Sequence, residues 1–252
     1  MNYCVIIPAR YQSSRLPGKP LIDLCGIPMV VRTYQQCIKA CSSEKVYVAT
    51  DDERIKDVCE LNNIQVIMTS SNCLTGTDRI AECAKFIDTD VFINVQGDEP
   101  LFNPRDLELL IANVEKYPGE VLNGYCEISD ETLFRSGSIP KVVFRPDGRL
   151  LFMSRAPIPS NKQQGFDKAW RQVCAYAFPK EALKNFSSVS EKTRLEGIED
   201  IEILRFLELG WEVRMLELSS DSIAVDTPDD IQRVEVEIKE RSLTLKEKAE
   251  VF

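Results

Sequence analysis

The feature that most constrains the fold is a strand followed by a helix, a unit that occurs four times in about the first 117 residues. The first unit begins with the apolar run Tyr3–Pro8, continues through a polar loop and reaches an amphipathic stretch near Pro28–Ala40. The later predicted units are Lys45–Thr50 with Asp52–Leu61, Ile64–Thr69 with Asp78–Phe86, and Val91–Val95 with Pro104–Tyr117. This repetition predicts an α/β fold with a mainly parallel central sheet and helices on both faces.

The pattern changes between Gly119 and Phe178, where strand-like runs follow one another with turns and no long helix between them. These runs are Glu120–Ile128, Lys141–Phe144, Leu150–Met153 and Gln172–Phe178. They predict a smaller antiparallel lobe. The α/β pattern then returns with a helix near Ile198–Leu209, a strand at Glu212–Leu218 and a helix from Pro228 to about Arg241. We therefore predict a core over residues 1–118, a lobe over 119–190, a return to the core over 191–241 and a charged tail over 242–252.

Composition excludes several classes of function. The chain has no histidine, which removes Ser-His-Asp and Cys-His catalysis and histidine-ligated zinc. Its nine cysteines are scattered without a C-x-x-C pair, which indicates reduced thiols. A net charge of −9 argues against a nucleic-acid surface. No apolar run of about 18 residues and no signal peptide is present, so we expect a cytoplasmic protein without membrane insertion.

A cation-rich loop follows the first predicted strand. It places Arg10, Arg15 and Lys19 beside Ser14 and Gly18 in an otherwise acidic chain. Ligands of open α/β sheets bind beyond the carboxyl ends of the strands, so this loop can bind the phosphates of a nucleotide. Its sequence is neither a Walker loop nor G-x-G-x-x-G, and a solvated basic loop is the alternative interpretation.

Two acidic turns are candidate metal ligands. Asp98 follows the fourth predicted strand, and Asp226 precedes Thr227-Pro228 at the start of the last predicted helix. Mg²⁺ prefers one or two carboxylates, completed by water and substrate phosphates. Taken singly, the first segment is also typical of an ordinary turn and the second of a helix cap.

Several segments together carry a family resemblance. They are Val5–Leu21, Val48–Asp51, Thr75–Arg79, Asn94–Pro100, Lys141–Val143, Ser154–Ala156, Leu195–Arg205 and Val225–Asp230. In order and spacing they resemble the 3-deoxy-manno-octulosonate cytidylyltransferases (CMP-Kdo synthetases), over about residues 3–238. The resemblance implies a Rossmann-like nucleotidyltransferase fold and a homodimer formed through the middle lobe, which would also bind the sugar. It implies Mg²⁺-dependent transfer of CMP from CTP to an acidic 3-deoxy-2-ketosugar, for lipopolysaccharide or capsule synthesis.

The same resemblance implies roles for individual residues. Arg10, Lys19, Asp98 and Asp226 would be catalytic, with Asp98 and Asp226 as the Mg²⁺ ligands. The residues implied at the nucleotide are Pro8, Ala9, Arg10, Ser14, Arg15, Lys19, Thr69, Thr75, Gly76, Thr77, Arg79, Gln96 and Asp98. Those implied at the sugar are Gln96, Arg155, Gln172, Tyr176 and Glu202.

This chain departs from the family mainly in the implied sugar half. Gln172 stands where the family commonly has histidine, and Ile203 where it has glutamine. Changing the hydrogen-bond donors offered to hydroxyl groups can shift acceptor preference, because an unpaired buried polar group costs about 1–3 kcal/mol. The acceptor is therefore expected to be Kdo or a close relative. A sialic-acid-like nonulosonate and a catalytically silent nucleotide-binding paralogue remain alternatives.

Overall fold

A mostly parallel sheet forms the centre of the computed structural model, which describes residues 1–13 and 16–250. The strands are β1 (Tyr3–Ala9), β2 (Asp23–Leu24), β3 (Ile27–Pro28), β4 (Val46–Thr50), β5 (Gln65–Met68), β6 (Val91–Val95), β7 (Val121–Glu127), β8 (Lys141–Phe144), β9 (Leu150–Ser154), β10 (Trp170–Pro179) and β11 (Val213–Glu217). The order in the sheet is β11-β7-β10-β6-β1-β4-β5. Parallel pairing joins β6, β1, β4 and β5 and also joins β7 to β11, whereas β10 is antiparallel to both of its neighbours.

Helices cover both faces of this sheet. They are α1 (Met29–Cys37), α2 (Glu53–Leu61), α3 (Gly76–Cys83), α4 (Pro104–Val114), α5 (Glu131–Arg135), α6 (Lys180–Ser187), α7 (Arg194–Glu199), α8 (Ile203–Glu208) and α9 (Pro228–Glu250), with short 3-10 helices at Lys19–Leu21 and Ser43–Lys45. Side chains alternate between two cores, because successive residues of a strand point to opposite faces. Val5 and Ile7 pack on the side of α1, α2 and α4, whereas Ile6 packs on the side of α3, α6 and α8. The predicted fold class is confirmed.

The antiparallel segment is continuous with the central sheet. Its strands β7 and β10 lie inside the sheet, between β11 and β6. The hairpin of β8 and β9 branches from β10 through pairs such as Trp170 with Val142. The sequence predicted these strands as part of a smaller lobe, because a buried apolar strand has the same local pattern in a lobe and in a main sheet.

Some helices differ from the sequence prediction. The predicted helix near Ile198–Leu209 consists of α7 and α8, because Asp200 adopts a left-handed conformation (φ 53°) that ends α7. Helices α5 and α6 were not predicted. Helix α9 continues past the predicted end at Arg241 to Glu250. Its last segment is rich in Lys, Glu, Leu and Ala, which favour helix whether or not they bury a face.

The cysteines agree with the expectation of reduced thiols. Every cysteine in the described part of the chain is a free thiol. Burial raises the pKa of Cys4 and of Cys83 to about 12, so these thiols stay protonated at neutral pH. Among the described residues, no helix combines the length and apolar character that crossing a membrane would require.

Candidate active site

A cavity of about 350 Å³ lies beyond the carboxyl ends of β1 and β6. Its walls come from the loop after β1, the start of α3, the turn after β6, the segment around α7 and the loop before α9. The lining residues are Pro8, Ala9, Arg10, Ser13, Lys19, Pro20, Cys73, Leu74, Thr75, Gly76, Arg79, Gln96, Gly97, Asp98, Lys192, Glu196, Asp200, Ile201, Glu202 and Asp226. The position agrees with the rule that open α/β sheets bind ligands at this edge.

The structure brings the two candidate metal ligands together at one wall. The Lys19 ammonium donates to Asp98 Oδ2 at 2.7 Å and to Asp226 Oδ1 at 3.2 Å. A backbone hydrogen bond from Val225 N to Asp98 O (2.9 Å) joins the two loops directly. Residues far apart in the chain therefore meet through both side chains and backbone.

Backbone geometry explains how Lys19 reaches this wall. Gly18 has φ 70°, in the left-handed region, and its N–H donates to Tyr11 O at 2.9 Å. The chain thus turns back and starts the 3-10 helix at Lys19. Arg10 lines the cavity with an exposed side chain. The predicted nucleotide residues Ser14 and Arg15 lie outside the described residues.

Helix α3 supplies the wall predicted to face the nucleotide. Thr75 caps the helix in a capping box with Asp78, and Gly76 follows at the cavity. Arg79 is only 3% exposed although it lines the cavity. Its guanidinium donates to the Thr69 hydroxyl and lies 3.3 Å from Asp51 Oδ1. Thr69 thus contacts Arg79 behind the wall.

The adjoining wall around α7 carries several charged groups. Glu202 Oε2 accepts from the Thr77 backbone N–H at 3.0 Å and from the Thr77 hydroxyl. Burial raises the Glu202 pKa, and the hydrogen bonds from Thr77 oppose that rise. Lys192 Nζ donates to Asp200 Oδ1 at 2.5 Å. Thr77 is a buried residue of α3 that is not among the described lining residues, and its hydrogen bonds orient Glu202.

A buried ion pair supports the same wall. Arg205 donates to both oxygens of Glu196, at 2.6 and 2.7 Å, and its guanidinium lies 3.8 Å from the centre of the Phe186 ring. Burial also affects a carboxyl beside the candidate metal ligand Asp98, since it raises the pKa of Glu99 to about 7. Ser222 Oγ donates to Glu99 at 2.6 Å and opposes this rise.

Three residues predicted at the sugar are not among the described lining residues. The Arg155 guanidinium donates to backbone carbonyls, among them those of Glu199 (2.6 Å) and Asp200 (2.9 Å). Gln172 Nε2 donates to Asn123 Oδ1 at 3.0 Å and to the Tyr176 hydroxyl at 3.3 Å. In this conformation, Arg155 holds the wall at residues 199–200, and the side chains of Gln172 and Tyr176 contact each other.

Sequence reasoning missed several residues of the site. Lys192, Glu196 and Asp200 line the cavity without having been predicted there. Glu196 lay within the segment Leu195–Arg205 that carried the resemblance, but its type alone did not distinguish it from a surface glutamate. Asp51 had a clearer signal, because it ends the motif Val48–Asp51 at the carboxyl end of β4.

The chemistry of the acidic pair fits Mg²⁺. Among the described residues, no group of three or more Asp, Glu, Cys or His side chains could hold a metal ion by itself. Two aspartates that both contact one ammonium group supply hard oxygen ligands for a cation at this position. Mg²⁺ typically takes one or two carboxylates and completes its shell with water and substrate phosphates. Asp98 and Asp226 therefore fit a site that needs the substrate to complete it.

The family model described as cytidylyltransferase matches residues 4–216 of this chain. The 8-amino-3,8-dideoxy-manno-octulosonate cytidylyltransferase of Shewanella halifaxensis is 37% identical over 243 residues, which are 94% of this chain and 99% of that protein. The 3-deoxy-manno-octulosonate cytidylyltransferase of Syntrophotalea carbinolica is also 37% identical, over 249 residues, with 95% and 99% covered. The solved structure of a CMP:2-keto-3-deoxy-manno-octonic acid synthetase complexed with CTP is 32% identical, with a TM-score of 0.90 over 96% of this chain and 100% of that one.

Proposed function

The chain belongs to the cytidylyltransferase family, and from this premise we propose that it transfers CMP from CTP to the anomeric hydroxyl of Kdo or a close Kdo relative, releasing pyrophosphate. The observation that carries the proposal is the meeting of Lys19, Asp98 and Asp226 in one cavity. This arrangement offers cationic groups to a triphosphate and two carboxylates to a divalent cation. The names of relatives that match almost the whole chain support the same reaction.

The nucleotide binds, in this proposal, between the loop after β1 and the start of α3. Arg10 and Lys19 contact the triphosphate and offset the charge that accumulates on departing pyrophosphate. Arg79, Thr75 and Gly76 line the adjacent wall, where the cytidine binds. Positioning and electrostatics of this kind need no histidine, in agreement with the composition.

Asp98 and Asp226 hold the metal in this proposal, and the metal is Mg²⁺. When bound, Mg²⁺ supplies charge stabilisation at the α-phosphate and lowers the pKa of the attacking hydroxyl. The backbone hydrogen bond from Val225 N to Asp98 O holds the two loops together, so that both carboxylates can contact one metal ion.

The acceptor binds against the wall around α7. Glu202 is oriented by Thr77 and accepts hydrogen bonds from sugar hydroxyls, and Gln96 faces nucleotide or sugar. The predicted sugar-side roles of Arg155, Gln172 and Tyr176 stay predictions. Two sugar acids named among the relatives, Kdo and its 8-amino derivative, are the acceptors to compare first.

A homodimer in the cytoplasm, serving lipopolysaccharide or capsule synthesis, completes the proposal. In this proposal the partner subunit would cover the exposed Leu151 of β9, which lies in the segment predicted to form the dimer. Multi-angle light scattering would then give twice the chain mass of 28.6 kDa. A monomeric mass would overturn the dimer and leave the reaction unaffected.

The reaction is tested by pyrophosphate release from CTP with Mg²⁺ and a panel of Kdo, 8-amino-Kdo and a sialic acid. We expect release with one of the first two, and a loss of at least about 100-fold in kcat for Asp98→Asn and Asp226→Asn, which corresponds to about 2.7 kcal/mol. Asp88→Asn, an exposed aspartate that is not in the cavity wall, is the control and keeps wild-type turnover. Near-wild-type turnover of Asp98→Asn, or no release with any acid, would contradict the proposal.

A further inference from the structure

Lys19 occupies the position between the two candidate metal ligands. Its ammonium contacts one oxygen of each carboxylate, at 2.7 and 3.2 Å, and the Lys19 side chain is only 16% exposed. The other lysine that lines the cavity, Lys192, contacts Asp200, whose side chain is 71% exposed. Lys19 is thus placed as an internal counter-ion in a partly buried setting, where charge interactions are stronger than in water.

A divalent cation bound to both carboxylates would lie close to this ammonium, which already contacts one oxygen of each. A metal ion on Asp98 Oδ2 and Asp226 Oδ1 competes with the ammonium that contacts both oxygens, because two cations held close together repel strongly. If a metal ion displaced the Lys19 ammonium and no other anion were near, the lysine charge would be left poorly paired. The two carboxylates are therefore less available to a metal ion than their proximity alone suggests.

A triphosphate supplies that other anion. Lys19 begins the 3-10 helix of the loop after β1, and Arg10 of the same loop lines the same cavity. The lysine stem has several rotatable bonds, so the ammonium can turn from the aspartates to phosphate oxygens while the backbone keeps its place. Nucleotide binding would move the ammonium off the carboxylates and bring further oxygen ligands to them.

We propose that Lys19 acts as a stand-in cation on Asp98 and Asp226, so that a divalent metal binds there tightly only after CTP has drawn the ammonium away. This inference rests on the proposed function, and it concerns the order and coupling of binding. Because coupling between two ligands is reciprocal, the metal also strengthens CTP binding by the factor by which CTP strengthens metal binding.

The test measures Mn²⁺ binding without nucleotide, by electron paramagnetic resonance of the free ion, for the wild type, Lys19→Met and Lys192→Met. We expect Lys19→Met to bind Mn²⁺ about tenfold or more tightly than the wild type, since its two carboxylates then lack the ammonium. Lys192→Met makes the same charge change in the same cavity and keeps the wild-type affinity. Adding Asp98→Asn to Lys19→Met abolishes the gain, which locates the ion at this pair.

A second readout is thermal unfolding in the absence of nucleotide. Lys19→Met unfolds at a lower temperature than the wild type without metal, because the two carboxylates then repel, and Mn²⁺ restores more of its stability than it adds to the wild type. Lys19→Gln serves in the same measurements if the methionine variant does not fold. Unchanged or weaker Mn²⁺ affinity in a folded Lys19 variant overturns the inference.

The two proposals fail in different ways. If Asp98→Asn abolishes pyrophosphate release while removal of the Lys19 ammonium leaves nucleotide-free Mn²⁺ affinity unchanged, the function stands and the stand-in role is wrong. If Asp98→Asn retains turnover, the proposed metal site is wrong, whatever Lys19 does.

Discussion

Arg79 shows how one residue depends on partners that the sequence does not pair with it. It is a buried cation whose guanidinium contacts Thr69 and Asp51 and also faces the cavity. A buried arginine without a carboxylate is costly, so we expect Asp51 to stabilise the fold and to hold the guanidinium in place. The sequence predicted that Arg79 is near the nucleotide, but it did not predict the contact between Arg79 and Asp51.

Replacing Asp51 by asparagine tests this positioning role. The change keeps the size of the side chain and removes its charge, so we expect a roughly tenfold higher KM for CTP and a loss of about 1–3 kcal/mol in the free energy of unfolding. Steady-state kinetics and urea denaturation measure the two effects. Asp52→Asn is the matched control, because Asp52 caps α2 and pairs with the exposed Arg54. It should lower stability and leave the KM unchanged; equal KM values for the two variants would contradict the role.

At the scale of elements, the site depends on how closely the ends of β1 and β6 approach each other. A Cβ atom added to Gly97 would lie 2.7 Å from the carbonyl oxygen of Pro8, closer than such atoms come in folded proteins. Both residues line the cavity, and Asp98 follows directly. The turn that carries Asp98 therefore needs glycine at Gly97, because the backbone of the neighbouring strand occupies the space.

Replacing Gly97 by alanine should push the end of β1 away from the end of β6. We expect a loss of about 1–3 kcal/mol of stability, since the clash is with backbone, and a lower kcat because Asp98 moves relative to Lys19 and Asp226. Thermal unfolding and pyrophosphate release check the two parts. Gly137→Ala is the control, because nothing lies within 4 Å of a Cβ at that position. A Gly97→Ala protein with wild-type stability and turnover would refute this account of the turn.

The whole molecule brings together residues from both ends of the chain. The loop after β1, the turn after β6 and the loop before α9 meet because their elements share one sheet edge and one small core. Val234 and Ile238 of α9 pack in that core with Leu24 and Met29. Ligand binding at this junction should therefore stabilise the entire fold rather than one segment.

Thermal unfolding with CTP and Mg²⁺ measures how much ligand binding stabilises the fold. At about 100 times the dissociation constant a ligand adds about 2.7 kcal/mol, which for a chain of this size raises Tm by roughly 5–10 °C. CTP with a chelator should give a smaller shift in Tm, since CTP binds more weakly when no metal is bound beside it. A shift of the same size with and without Mg²⁺ would argue against a shared site for metal and nucleotide.

The sequence by itself determined the local elements and the residue types of the site. Alternating strands and helices, the cation-rich loop and the two acidic turns are visible because each depends on residues close together in the chain. Only the tertiary structure decided that β7 and β10 lie inside the main sheet, that Asp51 contacts Arg79, and that one ammonium lies between Asp98 and Asp226. These features are distances between residues far apart in sequence. Local preferences leave such distances open, and they are settled only when the apolar faces of all the elements pack against one another.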